Sequence, residues 1–132
     1  MQETVCAFLI AATTIVTQSS TPSQWVGVWQ GELDGQPSVV LTLAEDNGNL
    51  EGTLVLNIVS RDGGQPHIIA HEPHAIMQPN VDGARLLFRL KRIDGSSTPM
   101  NFDVELTTSH HASIHCLNCG DDAPTVEMTK QD

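Results

Sequence analysis

The sequence predicts an all-β protein: an antiparallel meander of eight strands closing as an up-and-down β-barrel. Three observations predict it. Apolar and polar residues alternate with period two through most of the chain beyond residue 24. Turn signals rich in Gly, Asp and Asn recur at short spacing between the alternating runs. No window keeps apolar residues at helical spacing. A barrel of about eight strands is just wide enough to be filled by its own side chains or to hold one small ligand. An open sheet or a two-sheet sandwich shares this periodicity and stays an alternative.

The fold is expected to begin after a leader. Val5 to Val16 is an uncharged run of apolar and small residues. It is shorter than the roughly 20 apolar residues of a spanning helix and suits the h-region of a secretory signal peptide. Glu3 stands where a basic n-region is expected. Thr17 to Ser23 is small and polar, as a cleavage site and linker require. Residues 1–23 are thus read as signal peptide and linker, and residues 24–132 as the barrel domain, secreted or periplasmic and free of the membrane once the signal is removed. A lipid anchor through Cys6 is the lesser alternative, because Thr4 and Val5 make a poor lipobox.

In Trp25 to Leu33, Trp25, Gly27, Trp29, Gly31 and Leu33 share one face. Large and Gly positions alternate there, as a narrow barrel interior demands. Asp34-Gly35 turns the chain into a strand from Ser38 to Ala44. Asp46-Asn47-Gly48-Asn49 is a hairpin signal. Leu50 to Val59 follows, with Leu50, Gly52, Leu54, Leu56 and Ile58 inward; a slip of one residue would expose the whole set. Beyond the turn at Arg61 to Gly64, the segment from Pro66 to Gln78 is one strand in two halves, broken at Glu72-Pro73, since proline removes a ladder donor. Ala84 to Arg92 points Leu86, Phe88 and Leu90 inward. Met100 to Thr108 points Phe102, Val104 and Leu106 inward. Antiparallel pairing of these two strands sets Arg85, Arg89 and Lys91 beside Asp103 and Glu105, so the one basic cluster has a structural explanation. A turn at Asp94 to Ser97 joins them. His111 to Leu117 and Thr125 to Lys130 complete the set, with Ala112, Ile114, Val126 and Met128 inward.

Composition narrows function. Sixteen acids against six Lys and Arg give a formal charge of −10. Such a surface repels phosphate backbones and anionic lipid, so no nucleic-acid partner is expected.

Gly27-Val28-Trp29, Leu33, Leu41-Thr42-Leu43-Ala44 and Gly48-Asn49-Leu50-Glu51-Gly52-Thr53 carry a resemblance. The G-x-W followed by a hairpin ending in G-x-L-x-G-T resembles the opening of avidin-like barrels. The G-x-W alone is also similar to that of lipocalins and fatty-acid-binding proteins, the calycin-type barrels. The region beyond the leader, ending in Pro124 to Met128, also resembles small barrel domains of secreted bacterial proteins whose functions are mostly unassigned. The resemblance implies the barrel fold, and a packing role for Trp29 at one end of it. It does not imply biotin. Avidin-like sites use Tyr and several Trp, and this chain has no Tyr and no Trp after Trp29.

Chemistry has two candidate stretches. His110, His111, His115, Cys116 and Cys119 lie within ten residues of one another. Cys and His are zinc's preferred ligands, and a C-x-x-C pair can chelate one ion, so His111, His115, Cys116 and Cys119 form a candidate metal set. Strand parity points both histidines outward and Cys116 inward, which argues against convergence; a disulfide or free thiols is the plainer reading. His67, His71 and His74 with Glu72 form the second stretch. Its first two histidines lie about 13 Å apart at strand rise, too far for joint ligation. No nucleophile elbow, metalloprotease helix, phosphate loop or inward carboxylate pair is present. The expectation is a non-enzyme with no catalytic residues and no cofactor.

Three readings are open on these grounds. The first is an exported barrel that binds a small apolar molecule or a protein partner, lined by Trp25, Trp29, Leu54, Leu56, Phe88 and Phe102. The second is a structural or interaction module with a filled core. The third is a zinc protein using the Cys/His cluster. Oligomeric state is left open by the sequence.

Overall fold

The structure, a computed structural model, describes residues 22–92 and 97–132. The first 21 residues of the expected leader and linker, and most of the turn expected at Asp94 to Ser97, lie outside the described residues. The described chain is all-β. A 3₁₀ turn at Pro22–Trp25 leads into nine strands: β1 Gly27–Leu33, β2 Gln36–Asp46, β3 Asn49–Ser60, β4 His67–Ala75, β5 Met77–Asp82, β6 Arg85–Leu90, β7 Met100–Thr108, β8 His111–Cys116 and β9 Thr125–Gln131. They form one antiparallel sheet in the order β4-β3-β2-β1-β9-β8-β7-β6-β5. Neighbours in this order pair throughout, and the first strand pairs with the last. The two ends of the order are consecutive strands separated only by Ile76. The sheet therefore curls into an up-and-down, barrel-like layer. Among the described residues no helix is long and apolar enough to cross a membrane.

The count of nine rather than eight has a local cause. The segment after β3 pairs with β3 through its first half and with β6 through its second. It divides at Ile76, whose N–H donates to Gly52 O at 3.0 Å, and not at Glu72-Pro73. Pro73 sits inside β4 opposite Val55. It is tolerated because β4 is an end strand. The second half carries its own irregularity: Gln78 adopts φ 53° and the register with β6 shifts between Met77 and Asn80.

Burial follows the alternation closely. Trp29, Leu41, Leu43, Leu50, Leu54, Leu86, Phe88, Leu90, Val104, Ala112, Ile114, Val126 and Met128 all lie in the core. Phe88 and Phe102 stack with ring centres 5.4 Å apart. Two expectations are corrected. Trp25 belongs to the 3₁₀ turn and not to the first strand; Pro22 opens that turn, and β1 starts only at Gly27, which adopts φ 138°. Ile58 is exposed, because the ladder slips at Ile58/Val59 and β3 runs on beyond the packed interior.

A meander sends alternate turns to opposite ends. One end is plugged by the 3₁₀ turn. Trp25 is fully buried, its carbonyl accepts from Trp29 Nε1 at 3.0 Å, and the two rings lie 6.2 Å apart. Lys130 Nζ sits 5.5 Å over the Trp29 ring, a cation–π contact. Gln24 Nε2 donates to Gly83 O at 3.0 Å, tying the plug to the β5–β6 turn. The opposite end carries the β1–β2 turn, the β3–β4 loop and the β8–β9 loop. There an Asp34–Arg61 ion pair joins two of the loops. On the outer face Arg85 grips Asp103 through two hydrogen bonds of 2.7 and 3.2 Å and lies 3.8 Å from Glu105, as the charge pattern predicts for this residue, whereas Arg89 stands opposite Asn101 and Lys91 lies beyond the end of β6. The carboxylates raise the Arg85 pKa further, Asp103 foremost.

Candidate functional site: an apolar cleft at the barrel mouth

The end away from the plug holds a cleft of about 260 Å³ with an almost wholly apolar lining. Leu33 ends β1 at its rim; Ser38 and Val39 come from β2, and Leu56 and Asn57 from β3. Phe102 of β7, Ile114 and Cys116 of β8 and Val126 of β9 form the facing wall. Cys119, Ala123 and Pro124 supply the loop that closes one side. Larger hollows exist on the outside, one by Glu51 and Gly52 and one by Gln24 and His110, and both are more polar. No side chain lining the mouth cleft bears an ionisable acid or base, and its two cysteines are oxidised.

Ser38 is the least expected member of this site. By simple alternation Ser38 would point outward, since Val39, Leu41 and Leu43 point inward. Instead Ser38 and Val39 are both buried. The β1–β2 ladder explains it. Gly31 pairs with Val39 and Glu32 with Pro37, so Ser38 is the unpaired extra residue of a β-bulge. Asn57 holds the bulge from β3: its Nδ2 donates to Pro37 O at 2.8 Å. Asn57 Oδ1 is in turn 2.6 Å from His71 Nδ1. Ser38 is 7% exposed, and its Oγ has no hydrogen-bond partner. A buried hydroxyl without a partner costs about 1–3 kcal/mol.

The loop side is braced. Cys116 and Cys119 form a disulfide across the turn that follows β8. Asn118, between them, accepts from Asn101 N at 2.9 Å and donates to Pro99 O at 2.9 Å. Arg92 Nη2 reaches Asn118 O at 3.3 Å. The loop before β7 and the loop after β8 are thus fastened to each other beside the cleft.

Of the residues expected to line a ligand site, Leu56 and Phe102 do so here. Trp25, Trp29, Leu54 and Phe88 are packed into the filled interior. These four side chains fill the interior beneath the cleft. The metal set is not assembled. Cys116 and Cys119 are bonded to each other and have no thiolate to offer. His111 Nδ1 is 3.0 Å from Thr108 Oγ1, and His115 Nδ1 is 3.3 Å from Thr125 Oγ1. The second histidine stretch does not converge either. His74 is inward and buried opposite Leu54, whereas His67 and His71 are exposed. Among the described residues no group of three or more His, Cys, Asp and Glu side chains is placed to hold a metal ion.

The sequence reading missed Ser38, Asn57 and the Ala123-Pro124 loop. One signal was present for the first: Pro37 directly before Ser38 inside a strand, where proline favours bulges.

No family model, curated protein or solved structure matches the chain. The mouth cleft and its chemistry are therefore the ground for a functional reading.

Proposed function

We propose that the chain is an exported, non-catalytic barrel protein that binds a small apolar molecule at its mouth. The observation that carries this reading is the apolar cleft of about 260 Å³ set above a filled core. Its volume lies just below the roughly 300–1,000 Å³ of sites for drug-sized ligands, so the ligand is smaller than those. Binding is favoured over catalysis by the lining, which holds no acid, base or free thiol. Export is supported by the Cys116–Cys119 disulfide, since such bonds persist in oxidising compartments.

Native mass spectrometry after exposure to an organic extract tests the reading. Wild-type protein is expected to retain a small apolar adduct, and Ala123→Trp, which fills the cleft from the loop side, is expected to lose it. A wild-type mass without adducts would sink the ligand reading and favour a module with a filled interior.

A further inference from the structure

We infer that the mouth cleft takes a neutral molecule with an apolar body and one uncharged hydrogen-bonding group, which Ser38 Oγ receives. The inference rests on the cleft being a ligand site and names the chemistry of what enters it.

Three observations converge on it. First, Ser38 Oγ is buried with no partner, in a residue that lines the cleft. Among the described residues the other buried side-chain atoms left unpartnered are Trp25 Nε1, His74 Nε2 and Asn101 Oδ1, and none of those residues lines this cleft. Second, Ser38 is there because of a β-bulge that turns it inward beside Val39. A regular strand would leave its hydroxyl on the outer face in contact with water. Bulges recur next to functional sites for this reason, because they re-aim one side chain. Asn57 fixes the bulged segment through Pro37 O, so the position is held from a second strand. Third, the cleft offers no countercharge. Its lining has no Lys, Arg or His, and the whole chain carries −10. A carboxylate or phosphate would lose its hydration and gain nothing opposite in sign. An uncharged hydroxyl or carbonyl suits the unpartnered Ser38 hydroxyl, which can both donate and accept.

Size adds a limit. A dry apolar cavity on the order of 150 Å³ is enough for a benzene ring. One ring or a short aliphatic chain bearing a single oxygen therefore fits here.

Phenol, toluene and benzoate share one ring and differ in the group attached, so they separate these terms. Isothermal titration at neutral pH would compare all three on wild-type protein and on Ser38→Ala. Phenol and toluene should both bind the wild type, and benzoate at least ~10-fold more weakly. Ser38→Ala should weaken phenol by ~5–10-fold, the worth of one hydrogen bond, and leave toluene within about 2-fold. The same variant should melt no lower than the wild type without ligand, because it deletes an unsatisfied buried group. A purely structural serine would instead lower the melting temperature and weaken both neutral probes alike, and that result overturns the inference. Equal binding of phenol and toluene to both proteins overturns it too, while leaving an apolar site intact. Benzoate binding as tightly as phenol overturns the claim of neutrality. Failure of both neutral probes to bind the wild type removes the ligand reading itself.

Discussion

Replacing Gly31 by alanine couples the stability of the barrel to the volume of its mouth. Gly31 lies on the inner face of β1, directly paired with Val39 and next to the bulge that turns Ser38 inward. A methyl group at this position would come within 2.6 Å of Val126 Cγ1, 2.9 Å of the Glu127 carbonyl oxygen and 3.0 Å of Val39 Cγ2. The Glu127 oxygen belongs to the backbone of β9 and cannot swing aside. Val39 and Val126 can rotate, yet both line the cleft, so their easiest retreat is into it. Overpacking of this kind costs about 1–3 kcal/mol. At roughly 4 °C per kcal/mol for a domain of about 100 residues, the melting temperature should fall by about 4–12 °C. Affinity for a neutral ring such as toluene should fall with it. Gly35→Ala is the matched control. Gly35 adopts φ 77° with open space around its Cα, so alanine there is strained by conformation alone and its methyl group presses on no cleft residue. It should lower stability by about 1–2 kcal/mol and leave toluene binding unchanged. Calorimetry gives the first quantity and titration the second. A Gly31→Ala protein that melts with the wild type, or binds toluene equally well, would refute the close packing of β1, β2 and β9.

Two further outcomes concern the scaffold. Leu54→Ala removes a fully buried side chain from the middle of β3 and should cost about 2–5 kcal/mol in denaturant unfolding, with no change in ligand class. Removing the disulfide by Cys116→Ser with Cys119→Ser opens a loop with a sequence separation of only 3, so the loss should be no more than about 2 kcal/mol. A thiol reductant should destabilise the wild type by a similar free energy and have no effect on the double variant.

Much of the fold is legible in the sequence because period two reports burial directly. Leu86, Phe88 and Leu90 are inward as the alternation requires, and so are Val104, Ala112, Ile114, Val126 and Met128. The charge pattern of Arg85 with Asp103 and Glu105 likewise fixes the register of β6 on β7. What escapes the pattern depends on long-range pairing. Nothing local in His67 to Asp82 says that the chain leaves β3 for β6 at Ile76; the partners decide it, and Pro73 is tolerated only because β4 ends the strand order. Trp25 reads as a strand residue by parity, but Pro22 and Gly27 make its turn a plug. The site was least legible of all. Trp25, Trp29, Leu54 and Phe88 have the composition of a ligand cavity, yet large side chains in a narrow barrel fill one another's space. Ser38 enters the cleft through a one-residue bulge, which reverses its face and is invisible to an alternation argument.

The central claim is that the mouth, and not the interior or the outer surface, is the binding site. Amide chemical shifts recorded while toluene is titrated into ¹⁵N-labelled wild-type protein test it most directly. The largest changes should fall on Ser38, Asn57, Phe102, Cys116 and Ala123, and the amides around Trp25 and Lys130 should stay still. Shifts centred on the plugged end, or spread over the outer face with no cluster at the mouth, would contradict the account.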